Sequence, residues 1–547
     1  MITKDIVRPS LQELSGRKFD VIVIGGGITG AGVAQDSASR GLSTLLVEKG
    51  DFASGTSSKS TKLIHGGLRY LQNFQFGVVL ESVRERQVQL KLAPHMVHSL
   101  PFVIPAYGKN WFNNRKWELG LWVYDCMAGL SGNRFHKRIS RQEVIDLCPG
   151  IRQEGLVGGL LYYDCRTDDA RHTLEVIKSA CEHGCVAVNY ARVSSLVREN
   201  GRVVGVELID ESPTASGAVA RVCGRVVVNA TGVWTQKTAE LGGGKASVAV
   251  SPAKGVHITL APERLPIKSA MLIPTGADGR FCFAVPWYDS IIVGTTDTPY
   301  NGDLDRIATE EEEVEYILAA VNEQFPQARV TSADVTGKFA GLRPLIRDAK
   351  AKGTTKVSRK HTLEHSRDGL VTIAGGKLTT YRPMAKETVD LVVKILNRSG
   401  RFCGPCITGE LMLGGWASDI VRPAFVKALQ KRAAALGLGD KTVETLERMY
   451  GQRACSLIQM AMSDRSLAEP LVEGHTYIKA QLVYAVESEA ALTLEDALSR
   501  RIRLAITDSQ GARQIAESAS QTMARLLGWT EELRKAQVEA FLAGLDC

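Results

Sequence analysis

The sequence predicts an α/β fold: a sheet flanked by helices, interleaved with a second set of strands and followed by a helical region. Three observations predict it. Residues 19–48, "FDVIVIGGGITGAGVAQDSASRGLSTLLVE", read as strand, glycine-rich turn, helix and strand. Residues 225–235 and 368–393 each carry a further strand running into a glycine-marked turn. After Gly415 the composition shifts to Ala, Leu, Arg and Glu at helical spacing.

The first unit sets the sheet. Val21 to Ile24 is a β-branched run, as in a strand buried on both faces. Gly25, Gly27 and Gly30 fit G-x-G-x-x-G. Residues 28–40 read as a helix that Gly41 ends, and Ser43 to Val47 reads as the next strand. Glu48 closes that strand. In this context the glycines permit a tight turn with a pyrophosphate at the helix N-terminus, and Glu48 accepts from ribose hydroxyls. The unit therefore reads as a Rossmann-like site for an adenine dinucleotide, NAD or FAD. "RVVVNATGVWT" brings a second strand and Ala230, Thr231 and Gly232 to the same place. "DGLVTIAGGKLTTYRPMAKETVDLVV" adds a strand, Gly375 and Gly376, then a helix whose N-terminus suits a flavin carbonyl or a phosphate. Dinucleotide elements this far apart, with other strands between them, point to a flavoprotein with an interleaved substrate domain.

Residues 61–71, "TKLIHGGLRYL", interleave Lys62, His65 and Arg69 with Leu63, Ile64, Leu68 and Leu71 around Gly66 and Gly67. The apolar residues ask for burial, the cations for an anion, and paired glycines let a backbone approach something flat or bulky.

A chain of 547 residues is too long for one simple core, so two or more domains are expected. Hydrophobic content of 44% and charged content of 23% are those of a globular protein. A net charge of +8 permits an acidic partner without requiring nucleic acid. Eleven scattered cysteines predict free thiols in a reducing compartment. The N-terminal residues lack the apolar core of a signal peptide, and no stretch reaches the roughly 18 apolar residues of a spanning helix, so an intracellular chain without a transmembrane helix is expected. The ten histidines show no metal spacing, and no metal is expected. Cys403 and Cys406 match C-x-x-C but lack the strand before and helix after that redox chemistry needs. They read as an interdomain connection.

The segments "IGGGITGAG", "TSSKSTKLIHGGLRYL", "LYYDCRTDDAR", "NATGVW", "KGVHITL", "VGTTDTPY", "GLRPL" and "GGKLTTYR" follow one another as in FAD-dependent glycerol-3-phosphate dehydrogenases. The chain resembles that family from about Phe19 to about Met384, and more loosely beyond. The resemblance implies an FAD-binding Rossmann-like domain of the glutathione-reductase/D-amino-acid-oxidase type, an interleaved antiparallel-sheet substrate domain and a C-terminal α-helical domain. The expected division is an N-terminal extension at 1–18, the interleaved domains at 19–395, a linker at 396–416 and the helical domain at 417–547. The implied reaction is oxidation of sn-glycerol 3-phosphate to dihydroxyacetone phosphate by hydride transfer to FAD, with electrons passed to a membrane quinone.

By the same resemblance, FAD is held by Gly25, Gly27, Gly30 and Glu48, then by Thr56, Ser57, Ser58, Lys62, Leu63, His65, Gly66 and Gly67. Val193, Ala230, Thr231, Gly232, Gly376, Leu378 and Thr379 complete its site. Arg69, Tyr70, His257, Arg343, Lys377 and Thr379 meet the substrate, whose phosphate carries about −1.5 to −2 charges. His257, Arg343 and Lys377 are the catalytic candidates. His257 is the base, since an imidazole titrates near neutrality. Arg343 and Lys377 either bind phosphate or offset charge at the flavin N1–C2 carbonyl. Two other readings stand beside this one: an oxidase of the same fold that uses oxygen, and, behind it, a flavoprotein that binds RNA.

Segments 418–436, 441–450, 476–489, 494–505 and 512–527 read as amphipathic helices, expected to pack on the flavin domain or against a second copy. Residues 107–138 hold three of the seven tryptophans and six basic residues against two acidic. Residues 347–360 hold six basic against one acidic. Tryptophan with Lys and Arg is the composition of a headgroup anchor, so the first stretch is expected to dock on an anionic membrane surface at the cytoplasmic face.

Overall fold

The computed structural model describes residues 6–68, 71, 75–108, 116–128, 135–215, 217–275, 280–346, 361–398, 400–416 and 418–546. Two sheets share the chain between them. The first, of eight strands, runs in the order Thr362–His365, Val371–Ala374, Val219–Asn229, Lys18–Ile24, Thr44–Val47 and Val186–Val188, with the hairpin of Ala191–Glu199 and Arg202–Asp210 added beside Val219–Asn229. The five strands from Val371–Ala374 to Val186–Val188 are parallel. Val21, Ile22 and Val23 are fully buried, as a β-branched run covered on both faces requires. Ile24 pairs with Val47 on one side and Asn229 on the other, so the strand ends leading to Gly25, Glu48 and Ala230 lie side by side. The helix Ile28–Ser39 packs between Asp169–Glu182 and Tyr381–Asn397.

The second sheet has ten strands and is antiparallel except where Ala270–Thr275 runs parallel to His98–Tyr107. Toward one edge Val250–Leu260 pairs along its whole length with Val335–Ile346. Leu63 and Ile64 form the edge strand against Cys165 and Arg166. The segment that opens with Thr61 thus crosses from the first sheet to the second, which is how the two domains interleave.

The C-terminal region is helical, around a hydrophobic core of its own. Arg422–Ala434, Asp440–Tyr450, Lys479–Glu489 and Ser509–Leu527 fall within or close to the expected segments. Ala454–Ser463 and Glu531–Asp546 are helices that the sequence reading left out. The expected helix 494–505 is broken: a π-helical turn over Asp496–Arg501 is followed by Arg503 at φ +71° and a short helix Leu504–Thr507. Buried arginines cause the break, because Arg500 and Arg501 reach Asp51 while Arg503 reaches Asp169.

The helix Lys116–Ala128 has an inward side and an exposed side. Leu121 and Tyr124 are buried, and Trp117 meets Phe281 edge-on. Leu119 and Trp122 are 66% and 52% exposed. The flanking residues 109–115 and 129–134, and the basic stretch 347–360, lie outside the described residues. Among the described residues no helix is long and apolar enough to cross a membrane.

Candidate active site

A cleft opens where the parallel strands end. Gly25 adopts φ +111°, and a Cβ there would lie 2.6 Å from the Ala230 carbonyl oxygen. A Cβ on Gly30 would lie 1.8 Å from the Gly25 carbonyl oxygen, so only glycine lets the helix start this close to the turn. Gly27 is the N-cap of Ile28–Ser39. The Ile28 N–H donates to Ser57 Oγ at 2.9 Å, and that hydroxyl is the first atom a Gly27 Cβ would meet, at 3.0 Å. The helix dipole and free N–H groups at this point suit an anion. Glu48 accepts from the Gly26 N–H at 2.7 Å and the Gly50 N–H at 2.9 Å. Burial outweighs both and holds its pKa above the usual carboxylate value.

From Glu48 and Val193 the cleft runs past Gly27, Thr56 and Ser57, then Ala230, Thr231 and Gly232, to Gly376, Lys377 and Leu378. Its volume is about 1910 Å³, open mouth included. Trp234 forms one wall, with the Lys49 ammonium 4.1 Å from its ring centre. A glycine turn bare enough for a pyrophosphate, an acidic residue at one end and a second glycine-led turn at the other fit an extended dinucleotide of the FAD type.

The second sheet carries the polar groups beyond the cleft. His257 pairs with Phe339, and Ala253 pairs with Arg343, so these four side chains share one face of the sheet. His257 is buried. Its ring stacks on Phe339 with centroids 4.8 Å apart, and its Nε2 lies 2.9 Å from the Thr61 hydroxyl. Its Nδ1 is buried without a hydrogen-bond partner among the described residues. Burial first, then Lys62 and Arg343, push the imidazole well below its usual pKa, so the ring is neutral near pH 7. Arg343 donates to Thr295 Oγ1 at 2.9 Å and faces Asp297 Oδ1 at 3.2 Å. Lys377 Nζ lies 3.3 Å from Ser82 Oγ.

Eleven expected cofactor residues line the cleft, from Gly25 and Gly27 to Gly376 and Leu378. Gly30 packs inside the turn. Ser58 and Lys62 face away from the cleft: Lys62 is fully buried, with Nζ 3.0 Å from Asp169 Oδ1 and 2.9 Å from the Ser58 carbonyl. Leu63 is in the edge strand. His65, Gly66, Gly67 and Thr379 do not line the cleft but fasten its neighbourhood. Thr379 Oγ1 bridges the His65 N–H and carbonyl, both at 3.2 Å. The Gly66 N–H donates to Tyr124 OH at 2.8 Å, and a Cβ on Gly66 would lie 2.5 Å from that oxygen. Arg69 and Tyr70 lie outside the described residues.

Sequence reasoning passed over Thr61, Asp169 and Arg503. The first two stand inside quoted motifs. Nothing local marks Arg503, since the carboxylate it pairs with, Asp169, is more than 300 residues away. Trp234 also escaped notice, although it ends the quoted "NATGVW".

A glycine turn, an acidic strand end and a second glycine-led turn along one cleft define the class as a flavin-dependent oxidoreductase. Comparison with known proteins narrows it. The sequence model of the FAD dependent oxidoreductase family matches residues 20–382, and that of the C-terminal domain of alpha-glycerophosphate oxidase matches residues 406–534. Glycerol-3-phosphate dehydrogenase 2 of Mycobacterium bovis is 39% identical over 98% of this chain and 89% of its own. The aerobic glycerol-3-phosphate dehydrogenase of Bacillus subtilis is 35% identical over 97% and 95%. The crystal structure of the glycerol-3-phosphate dehydrogenase from Bacillus halodurans complexed with FAD superposes with a TM-score of 0.81 at 33% identity, covering 98% of this chain and 96% of that one. The chain belongs to the FAD-dependent glycerol-3-phosphate dehydrogenases.

Proposed function

We propose that this chain oxidises sn-glycerol 3-phosphate to dihydroxyacetone phosphate and hands the electrons to a membrane quinone. The observation that carries the reading is the shared sheet face of His257 and Arg343, which puts a neutral imidazole and a cation on the same side of the sheet. FAD, when bound, supplies the acceptor for the hydride that leaves carbon 2. The FAD site runs along the cleft: Gly25, Gly27 and Ser57 at the pyrophosphate, Glu48 at the ribose, Gly376 and Leu378 at the flavin end. His257 takes the proton of the carbon 2 hydroxyl at Nδ1. Arg343 and Lys377 meet the phosphate or the negative charge that develops during oxidation. Each charge-assisted hydrogen bond contributes about 1.5–3 kcal/mol.

The exposed Leu119 and Trp122, one turn apart on Lys116–Ala128, support docking of this helix on an anionic membrane where a quinone is within reach. Wild type is expected to sediment with anionic vesicles at low salt, and a Leu119→Ser/Trp122→Ser variant to stay in solution while still folded.

The match of residues 406–534 to an oxidase domain keeps oxygen as the alternative acceptor. Turnover with glycerol 3-phosphate separates the two. A quinone analogue is expected to be reduced with no peroxide formed, whereas stoichiometric peroxide in air, without quinone reduction, assigns the chain to the oxidases.

A further inference from the structure

We propose that Arg503, in the C-terminal helical region, is a positioning residue for the oxidation: it fixes Asp169, which holds the loop whose Thr61 orients His257. The proposal rests on the reading of His257 as the base.

The contacts form an unbroken series. Arg503 is 1% exposed and adopts φ +71° at the break between two helical turns. Its Nη2 donates to Asp169 Oδ1 at 3.0 Å and to the Ser58 carbonyl at 3.3 Å, and its Nη1 donates to the Ser499 carbonyl at 2.9 Å. Asp169 is fully buried. It accepts from Lys62 Nζ at 3.0 Å, and from the Ser60 N–H and hydroxyl at 2.9 and 2.7 Å. Ser60 and Lys62 flank Thr61, and both are tied to one carboxylate. Lys62 also adopts φ +60°, a left-handed conformation that a non-glycine residue keeps only when its surroundings impose it.

Thr61 turns this clamp into chemistry. When His257 Nε2–H donates to the Thr61 hydroxyl, the lone pair lies on Nδ1, the nitrogen left without a partner. A loop free to shift would release the ring from that tautomer and orientation. The Lys62 ammonium also stands 4.5 Å from the centre of Phe339, on which His257 stacks. Burial pulls Lys62 down to about 8, and Asp169 is the first group opposing that fall. Burial works to raise Asp169, but Lys62 and then Arg503 outweigh it and leave its pKa below the usual value. Asp169 is thus held between two cations, and one of them comes from the far end of the chain.

The test measures flavin reduction by glycerol 3-phosphate in single turnover, on holoenzyme, with FAD content and melting temperature as controls. Thr61→Val is expected to slow reduction about tenfold to a hundredfold, as when the group that orients a functional imidazole is lost, with KM little changed. Thr61→Ser is expected to restore most of the rate. Arg503→Lys is expected to slow reduction as well, and by less than twofold further when placed on Thr61→Val, because both act on the same ring. If Arg503→Lys does not retain FAD, Ser60→Ala takes its place at the other side of Asp169. Wild-type rates in Thr61→Val, or multiplying effects in the double variant, overturn the proposal. His257→Gln tells the two ideas apart. If it reduces flavin at the wild-type rate, the reading of His257 as base fails. If it is slow while Thr61→Val is not, that reading stands and the positioning role falls.

Discussion

In the dinucleotide cleft, Gly25, Gly27, Gly30 and Glu48 come from one short stretch of chain, and the glycines offer bare backbone. In the seam under the C-terminal helices, Asp51 meets Arg500 and Arg501 across about 450 residues, and what these groups offer is charge. The seam extends through Glu489, held by Arg171 and Lys178 at 2.6 Å each, and through Glu175, which Arg453 reaches at 2.6 Å. Asp51, Glu489, Glu175, Arg171, Lys178 and Arg501 are all within 1% of full burial. The cleft leaves space for a ligand, so a change there removes the ligand. In the seam the charges are each other's partners, so a change there strands a charge.

The largest expected effect follows from that contrast. Asp51→Ala leaves Arg500 and Arg501 facing each other without their shared carboxylate. It is expected to cost about 3–5 kcal/mol, a large part of the roughly 5–15 kcal/mol that holds a domain folded. A denaturant midpoint unchanged from wild type would break the comparison. Gly27→Val makes the opposite case. Its Cβ meets only the Ser57 side chain, so the fold is expected to survive while FAD is lost. Full FAD occupancy in that variant would contradict the placement of the pyrophosphate.

Arg343→Ala and Lys377→Ala sharpen the comparison at the chemical end. Each is expected to lower kcat/KM by about 2–4 kcal/mol of transition-state stabilisation, the range for one oriented donor in a closed site, while FAD stays bound. An unaltered kcat/KM in either would move the site elsewhere. The mildest effect is one of pH. Burial works to raise the pKa of Glu489, but Arg171 and Lys178 pull it from its usual 4.5 down to about 2. A carboxylate with a depressed folded pKa contributes stability that is complete above the unfolded value and lost as pH falls toward the folded one. Stability is therefore expected to be level in this contribution above about pH 4.5 and to decline from there toward pH 2. Glu489→Gln is expected to flatten that decline, and an equally steep loss in the variant would remove Glu489 as its cause.

The same contrast explains what could be read from the sequence. The parallel sheet was legible because Val21–Ile24, the three glycines and Glu48 state strand, turn and acid in order, each constraint being local. His257 and Arg343 were legible as members of short motifs, and their shared face became visible only with the register of Val250–Leu260 on Val335–Ile346. Lys62 looked like a cation awaiting an anion from outside. Its anion is Asp169, 107 residues on in the chain. The helix expected over 494–505 was drawn through a region where three buried arginines need different directions, and tertiary ion pairs overrode the helical pattern. Residues 107–138 were read from tryptophan and charge alone, and the bond from the Gly66 N–H to Tyr124 OH shows which side of Lys116–Ala128 faces inward.

The central claim is that the cleft holds a flavin which glycerol 3-phosphate reduces. An anaerobic titration of the purified, yellow holoenzyme tests it most directly. The account expects the oxidised-flavin absorbance to bleach with one equivalent of glycerol 3-phosphate per flavin, dihydroxyacetone phosphate to appear in equal amount, and glycine or sarcosine to leave the spectrum unchanged. A spectrum that glycerol 3-phosphate does not alter, or that an amino acid bleaches instead, would contradict it.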